Sequence, residues 1–314
     1  MTNDKIAAAL IGVPINVGAE NPNISLGPQA FRDAGIVEKL SSAGFEIDDR
    51  GNVMCRDRIE LARGNSRMHH LDEIVRISEE SATLTESALE KGQKVIALGG
   101  DHSMNLGVVS GASVALNGKL GLIYLDAHGD MNTVDTTPTG NIHGMHVASL
   151  LGFGAPELKN VHGQAVKIAK ENFLHIGGSD FDQAELNLIE REKLTAFTLF
   201  DLLCQNLSPL CTMINDLAAR VPSIWVSLDL DVIDCLYAPA AGMPNAKGLL
   251  YREIATIADY IGSRCNVVGV DVVEYNPMQD ENMKTAELGI ELIARFFGKK
   301  YSWYSNYLAA HPVT

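Results

Sequence analysis

Cysteine is scarce in this chain and follows no pairing pattern. The five cysteines among 314 residues, Cys55, Cys204, Cys211, Cys235 and Cys265, include no Cys-x-x-Cys, which excludes a disulfide scaffold and a thiolate zinc knuckle. They read as reduced residues of the core. Cys235 stands apart because it lies shortly after Asp231, near the acidic motifs described below. Positive charge is also in short supply. With 25 Lys and Arg against 39 Asp and Glu, the formal net charge is −14, and nucleic acid is excluded as a partner because phosphate binding needs clustered cations. No apolar run approaches the ~18 residues that would cross a bilayer, so no membrane partner is expected. The amino terminus lacks the basic, apolar, small-residue order of a secretory leader, and the expectation is a cytoplasmic protein. No repeat, low-complexity tract or linker divides the chain, and hydrophobic residues, 46% of the total, are spread along it. A single domain over residues 1–314 is expected.

What the chain does have is alternation. Apolar runs at 6–11, 94–98, 120–125, 173–176, 224–228 and 266–270 read as strands. Between them, amphipathic segments at 28–42, 71–91, from Ser103 onward, and at 183–193, 209–220, 252–263 and 285–297 read as helices, with Gly44 and Gly92 ending the first two. Strand and helix in turn imply a parallel sheet covered on both faces. In such a sheet, ligands gather beyond the carboxyl ends of the strands.

Three of those ends carry acid. Asp126-Ala127-His128-Gly129-Asp130 follows the run at 120–125, Ser227-Leu228-Asp229-Leu230-Asp231 ends the run at 224–228, and Gly99-Gly100-Asp101-His102-Ser103 follows the run at 94–98. Alternate residues of an extended chain point the same way, so each motif aims its polar side chains into one space. A lone Asp-x-Asp at a strand end is commonly a solvated turn or a helix cap. Three clusters at three strand ends mean converging carboxylates that need partners. His102 and His128 with Asp126, Asp130, Asp229 and Asp231 form a carboxylate-rich set without thiols, which suits Mn²⁺. So much anionic oxygen calls for two cations. Gly177-Gly178-Ser179-Asp180-Phe181-Asp182 and Asp271-Val272-Val273-Glu274 occupy equivalent strand ends, so one rim collects the polar chemistry of a binuclear metallohydrolase.

On these motifs the chain resembles the ureohydrolase superfamily, which groups arginase, agmatinase, guanidino-acid hydrolases and formimidoylglutamase. Gly-Gly-Asp-His-Ser, Asp-x-His-x-Asp and Ser-x-Asp-x-Asp-x-x-Asp occur in the family's order, and the likeness covers almost the full length. The resemblance implies an α/β fold, a three-layer α/β/α sandwich with a mainly parallel sheet of about eight strands, and two Mn²⁺ bridged by hydroxide, with Co²⁺ or Ni²⁺ able to use the same ligands. It further implies that His102 and Asp130 hold one ion, His128 and Asp231 the other, and Asp126 and Asp229 both. Relatives usually form trimers or hexamers, and the aromatic tail at 301–314 is a candidate contact.

The loop after the first acidic motif is similar to that of arginase itself. By that likeness Asn132, Thr139 and Asn141 hold a substrate α-carboxylate, Asp182 contacts the α-amino group with Glu185 as a helper, and Glu274 pairs with the guanidinium. His143 matches the proton shuttle, a role imidazole suits near neutral pH. On the residues alone, His143 in its Gly-rich loop reads by default as a solvated histidine, Asp182 as a helix cap and Glu274 as a turn cap before Pro277. The expected activity is hydrolysis of L-arginine, or a close α-amino guanidino acid, to urea and an amine. Agmatine, guanidinobutyrate and N-formimidoyl-glutamate are the alternative substrates, and a non-catalytic relative is the alternative from another class. Four departures from the family pattern bear on substrate choice. Met243 stands where the family has threonine, Cys235 where it has proline, and Ser179 and His146 where arginases have arginine and proline.

Overall fold

The computed structural model describes residues 5–299. Its strands are β1 (Ile6–Val13), β2 (Phe45–Asn52), β3 (Gly64–Asn65), β4 (Met68–His69), β5 (Lys94–Gly99), β6 (Gly121–Leu125), β7 (Phe173–Ile176), β8 (Thr195–Phe197), β9 (Ile224–Asp229) and β10 (Val267–Val273). Eight of them form one sheet in the order β2-β1-β5-β10-β9-β6-β7-β8, while β3 and β4 make a separate hairpin. Every pairing within the large sheet is parallel. The expected mainly parallel sheet is therefore wholly parallel.

Period-two alternation divides the apolar residues between two cores. Leu10, Ile96, Leu98, Ile123, Leu125 and Val226 face one side, where the helices Ser208–Arg220, Tyr251–Arg264 and Lys284–Phe296 pack. Ala9, Ile11, Val95, Ala97, Leu122 and Trp225 face the other, beneath Leu71–Glu90 and Asn105–Ala115. A sheet buried on both faces needs near-continuous apolar strands, and the central strands supply them.

Several sequence expectations are corrected at the edges. The segment 28–42 is two helices, Gly27–Asp33 and Ile36–Ser42, broken at Gly35, whose φ of 78° is readily reached only without a side chain. The strand β2 carries the polar sequence FEIDDRGN with an exposed outer half, so it showed no buried apolar run. None of the cysteines is a core residue: Cys204 is exposed and the other four are partly exposed. The tail at 301–314 lies outside the described residues. Among the described residues no helix is long and apolar enough to cross a membrane.

The sheet order places the site. In β5, β10, β9, β6 and β7, five neighbours in succession, the carboxyl ends lie level, with Leu98 beside Val272, Val273 beside Asp229, and Leu125 beside both Leu228 and Ile176. The residues that follow these ends include His102, Glu274, Asp231, Asp126 and Asp182.

Candidate metal centre

Asp126, Asp229, Asp231 and His102 are buried at the middle of this rim, with Asp130 nearly so. His102 Nδ1 lies 3.0 Å from Asp126 Oδ2, 3.2 Å from Asp229 Oδ2 and 3.5 Å from Asp130 Oδ2. On the other side, His128 Nδ1 lies 3.1 Å from Asp231 Oδ2 and 3.5 Å from Asp126 Oδ1. Asp126 thus turns one oxygen to each histidine. Asp229 gives Oδ2 to the His102 side, while its Oδ1 accepts the Asp231 N–H at 2.9 Å.

The donor chemistry fits cations. His102 Nε2 donates to Ser227 Oγ at 2.8 Å, the Ser227 hydroxyl donates to Asp271 Oδ1 at 2.7 Å, and Asn105 and Trp225 also donate to Asp271. That chain holds the ring by Nε2 and turns Nδ1 toward three carboxylate oxygens, the orientation in which a metal-binding imidazole is held. Three groups of potential ligands are present, His102 with Asp126 and Asp229, Asp126 with His128 and Asp231, and His102 with Asp130 and His146, each with its ligand atoms within 4.8 Å of one another. Among the described residues no Lys or Arg pairs with these aspartates. Electrostatics carry the same message. Burial and the Asp126 charge raise Asp130 to about 7 and Asp231 to about 6. Burial would lower His102, but its hydrogen bonds to Asp126 and Asp229 hold it well above the ordinary histidine range. The oxygens demand positive charge at these places.

His128 and Asp130 open into a cleft of about 450 Å³, which is also lined by Asn132, Thr139, Asn141, His143, Asp182, Glu185, Met243 and Glu274. Every expected recognition residue therefore meets at one cavity. Glu274 Oε1 accepts the His102 N–H at 3.0 Å and lies 3.6 Å from His143 Nδ1. Burial would lower His143, but Glu274 brings it to about 9, so the ring is charged at neutral pH. Asp130 and Glu274 both adopt left-handed backbone, with φ of 49° and 59°, strain of the kind that concentrates at functional sites. Gly242 packs close beside them, since a Cβ there would come within 2.5 Å of Glu274 Oε2 and displace that carboxylate.

At the rim, Asn132 Nδ2 donates to Asp182 Oδ2 at 2.7 Å. Asp182 also occupies the N-cap position of the helix Gln183–Glu192, so the capping alternative holds alongside its place at the cleft. Glu185 is buried beneath it, accepting the Asp182 N–H through Oε2 at 2.8 Å and the Met131 N–H through Oε1 at 2.9 Å. Asn141 Oδ1 pairs with His69 Nδ1 at 3.1 Å. Of the departures, Met243 lines the cleft and is half exposed, and His146 is fully buried. Cys235 and Ser179 lie outside the lining, Cys235 donating its N–H to Asn245 O and Ser179 Oγ accepting from Asn245 Nδ2.

Some contacts escaped the sequence. Ser227 and Asp271 were singled out as members of polar motifs, but not their link to His102 and Asn105. Tyr124 looked like any strand aromatic, and His69 sits on the short hairpin. Asp101 is structural, accepting the Gly18 N–H at 2.8 Å and the Ser103 N–H at 3.0 Å.

Comparison with known proteins agrees with this geometry. The arginase family profile matches residues 6–298. The arginase of Brevibacillus brevis is 34% identical over 93% of this chain and 98% of its own length, and that of Bacillus caldovelox is 33% identical over 93% and 98%. The solved Bacillus caldovelox arginase superposes with a TM-score of 0.90 at 33% identity, covering 95% of this chain and 100% of that chain. An all-parallel α/β sheet with a His/Asp-lined rim of this kind defines a ureohydrolase, a hydrolase acting on linear amidines. The chain belongs to the arginase family.

Proposed function

We propose that the chain hydrolyses L-arginine to urea and L-ornithine at a centre of two Mn²⁺ ions, with Co²⁺ or Ni²⁺ able to occupy the same ligands. The observation that carries this reading is the charge of the cleft. Glu20, Asp130, Asp180, Asp182, Glu185 and Glu274 line it, and among the described residues no Lys or Arg does. Such a cavity selects a cation, and its lining combines carboxylates with the amide and hydroxyl groups of Asn132, Thr139 and Asn141.

His102, Asp126, Asp130 and Asp229 would hold one ion, and His128, Asp231, Asp126 and Asp229 the other. The ions, when bound, supply Lewis-acid activation of water. The remaining work falls to the protein. Glu274 faces the planar guanidinium and can accept two parallel N–H bonds from it, fixing the central carbon for attack. His143, charged at neutral pH through Glu274, is the proton source for the departing amine nitrogen. Asp182 takes the α-ammonium, and Asn132, Thr139 and Asn141 take the α-carboxylate. Met243, where the family has threonine, lines the same cleft and offers it a thioether in place of a hydroxyl.

The test is urea release from L-arginine by Mn²⁺-loaded protein, beside agmatine, guanidinobutyrate and N-formimidoyl-glutamate. Preferential turnover of L-arginine is the expected result. Preference for one of the other three would retain the chemistry and transfer the specificity to that compound. Absence of turnover with all four would sink the reading.

A further inference from the structure

The hairpin of β3 and β4 has no part in the reading above, yet it grips the loop that carries the recognition residues. At the start of that loop, Arg67 donates from Nε to Val134 O and from Nη2 to Asp135 O at 2.7 Å. At its end, the His69 N–H donates to Gly140 O at 2.9 Å, and His69 Nδ1 lies 3.1 Å from Asn141 Oδ1. The two segments pack as closely as backbone allows. Gly140 has a φ of 79°, and a Cβ on it would stand 2.4 Å from Ser66 O and 3.0 Å from the His69 ring.

His69 and Asn141 are both buried, so their polar atoms must be paired in a definite sense. An amide has an acceptor at one end and two donors at the other, and a neutral imidazole donates from one nitrogen only. With Oδ1 set against the ring, Nδ1 carries a proton, and both N–H groups of Asn141 Nδ2 are left for the cleft that this residue lines. Were the ring proton on Nε2 alone, the amide would turn over and present its carbonyl oxygen to the cleft instead. One ring tautomer thus decides which end of Asn141 a ligand meets.

That choice matters here because cations are few. Among the described residues no Lys or Arg lines the cleft, and His143 is paired with Glu274. A substrate carboxylate is left to neutral donors. Asn132 is largely committed, with Nδ2 donating to Asp182 Oδ2 at 2.7 Å and Oδ1 accepting from Thr136 Oγ1 at 2.9 Å. Thr139 Oγ1 accepts the Asn141 N–H at 3.1 Å, which keeps its own proton free. An inverted Asn141 would oppose an anion with an oxygen, a device that rejects rather than attracts.

We propose that His69 is a positioning residue for the substrate carboxylate. By donating from Nδ1 it holds the Asn141 amide with its N–H groups toward the cleft, and so selects guanidino acids over the corresponding decarboxylated amines. The inference rests on the reading of Asn141 as a carboxylate contact and names what makes it one.

The test uses the full chain loaded with Mn²⁺ and follows by calorimetry the binding of L-ornithine and of 1,4-diaminobutane, the same diamine without the carboxylate. The wild type should favour L-ornithine. His69→Phe, which keeps a ring but no donor, should bind L-ornithine about tenfold more weakly, the loss expected for a hydrogen bond to a charged group, with 1,4-diaminobutane unchanged. KM for L-arginine should rise by the same factor, with kcat within about twofold. His69→Asn, whose amide can place an N–H where Nδ1 stood, should recover most of the loss. An undiminished preference for L-ornithine in His69→Phe, or an equal loss of both ligands, overturns the proposal and leaves the carboxylate reading standing. A wild type that binds both ligands alike overturns that reading and the proposal with it. If His69→Phe fails to fold, neutron diffraction from the wild type decides: deuterium on His69 Nδ1 supports the proposal, and a bare Nδ1 overturns it.

Discussion

Two groups of buried carboxylate in this molecule are neutralised in different ways. Glu73, in the first turn of the helix Leu71–Glu90, is 2% exposed. It accepts from Arg56 Nε at 2.7 Å, from the Arg56 N–H at 3.1 Å and from Arg76 Nη2 at 2.8 Å. Although burial would raise it, the two guanidinium groups bring its carboxyl down to about 2. The aspartates of the rim are also buried, and among the described residues histidines are the only cationic side chains paired with them. Without added charge, Asp130 and Asp231 lie at about 7 and about 6. One carboxylate is completed by the chain's own arginines, whereas the rim cluster has only histidines to offer positive charge and, on the proposed reading, is completed by bound ions. The same residue type therefore serves structure in one place and ion binding in the other.

The largest effect should come from Asp126→Asn, which removes the carboxylate that faces both histidines. Metal analysis should find both ions lost, and urea release should fall at least about 1,000-fold, since bound ions contribute several kcal/mol to such reactions. Retained metal and activity would break the comparison at its centre. Removing the ions with a chelator comes next. With free metal about 1,000-fold above Kd, restoring it should stabilise the fold by about 4 kcal/mol for each ion bound, read as a rise in the thermal midpoint. A midpoint indifferent to metal would mean that the rim carboxylates are neutralised some other way.

Glu73→Gln sharpens the other half. Loss of charge-assisted bonds to two partly exposed arginines should destabilise the fold by about 2 kcal/mol, with metal stoichiometry unchanged. The pH dependence follows from the sign of the shift. The folded value of about 2 lies below the ordinary 4.5, so the contribution of Glu73 is complete above pH 4.5 and is lost as pH falls toward 2. Denaturation curves of wild type and variant should therefore converge across that window. A constant gap between them would show that the ion pairs are not its source.

The rim was legible in the sequence because its acids follow apolar strands at alternate positions, so the clusters at Asp101-His102, Asp126 to Asp130 and Asp229 to Asp231 stood out, while the assignment of single residues as ligands came from the resemblance to the ureohydrolases. The central strands were legible for the same reason: burial on both faces leaves a continuous apolar run. What the sequence concealed were groups whose neighbours come from afar in the chain. Arg56 gives no local sign that it meets Glu73, and Ser227 reaches His102 only because β9 lies two strands from β5. Edge strand β2 was hidden by its exposed side, and the split at Gly35 by helix-forming residues on both sides.

The smallest effect should belong to a carboxylate that is buried in neither sense. Asp182 is exposed at the rim and is held by Asn132 and the start of its helix rather than by a counter-ion. Asp182→Asn keeps its shape and removes its charge. Its partner on the proposed reading is the substrate α-ammonium in a solvated setting, where an ion pair is worth about 1 kcal/mol or slightly more. KM for L-arginine should accordingly rise about tenfold, the equivalent of about 1.4 kcal/mol, with kcat within about twofold because the contact is uniform between ground and transition states. Guanidinobutyrate lacks the α-amino group, so any slow turnover of it should be unaffected. An equal loss with both compounds would show that Asp182 acts through the helix start and the Asn132 contact, and would move it from the recognition half of the molecule to the structural one.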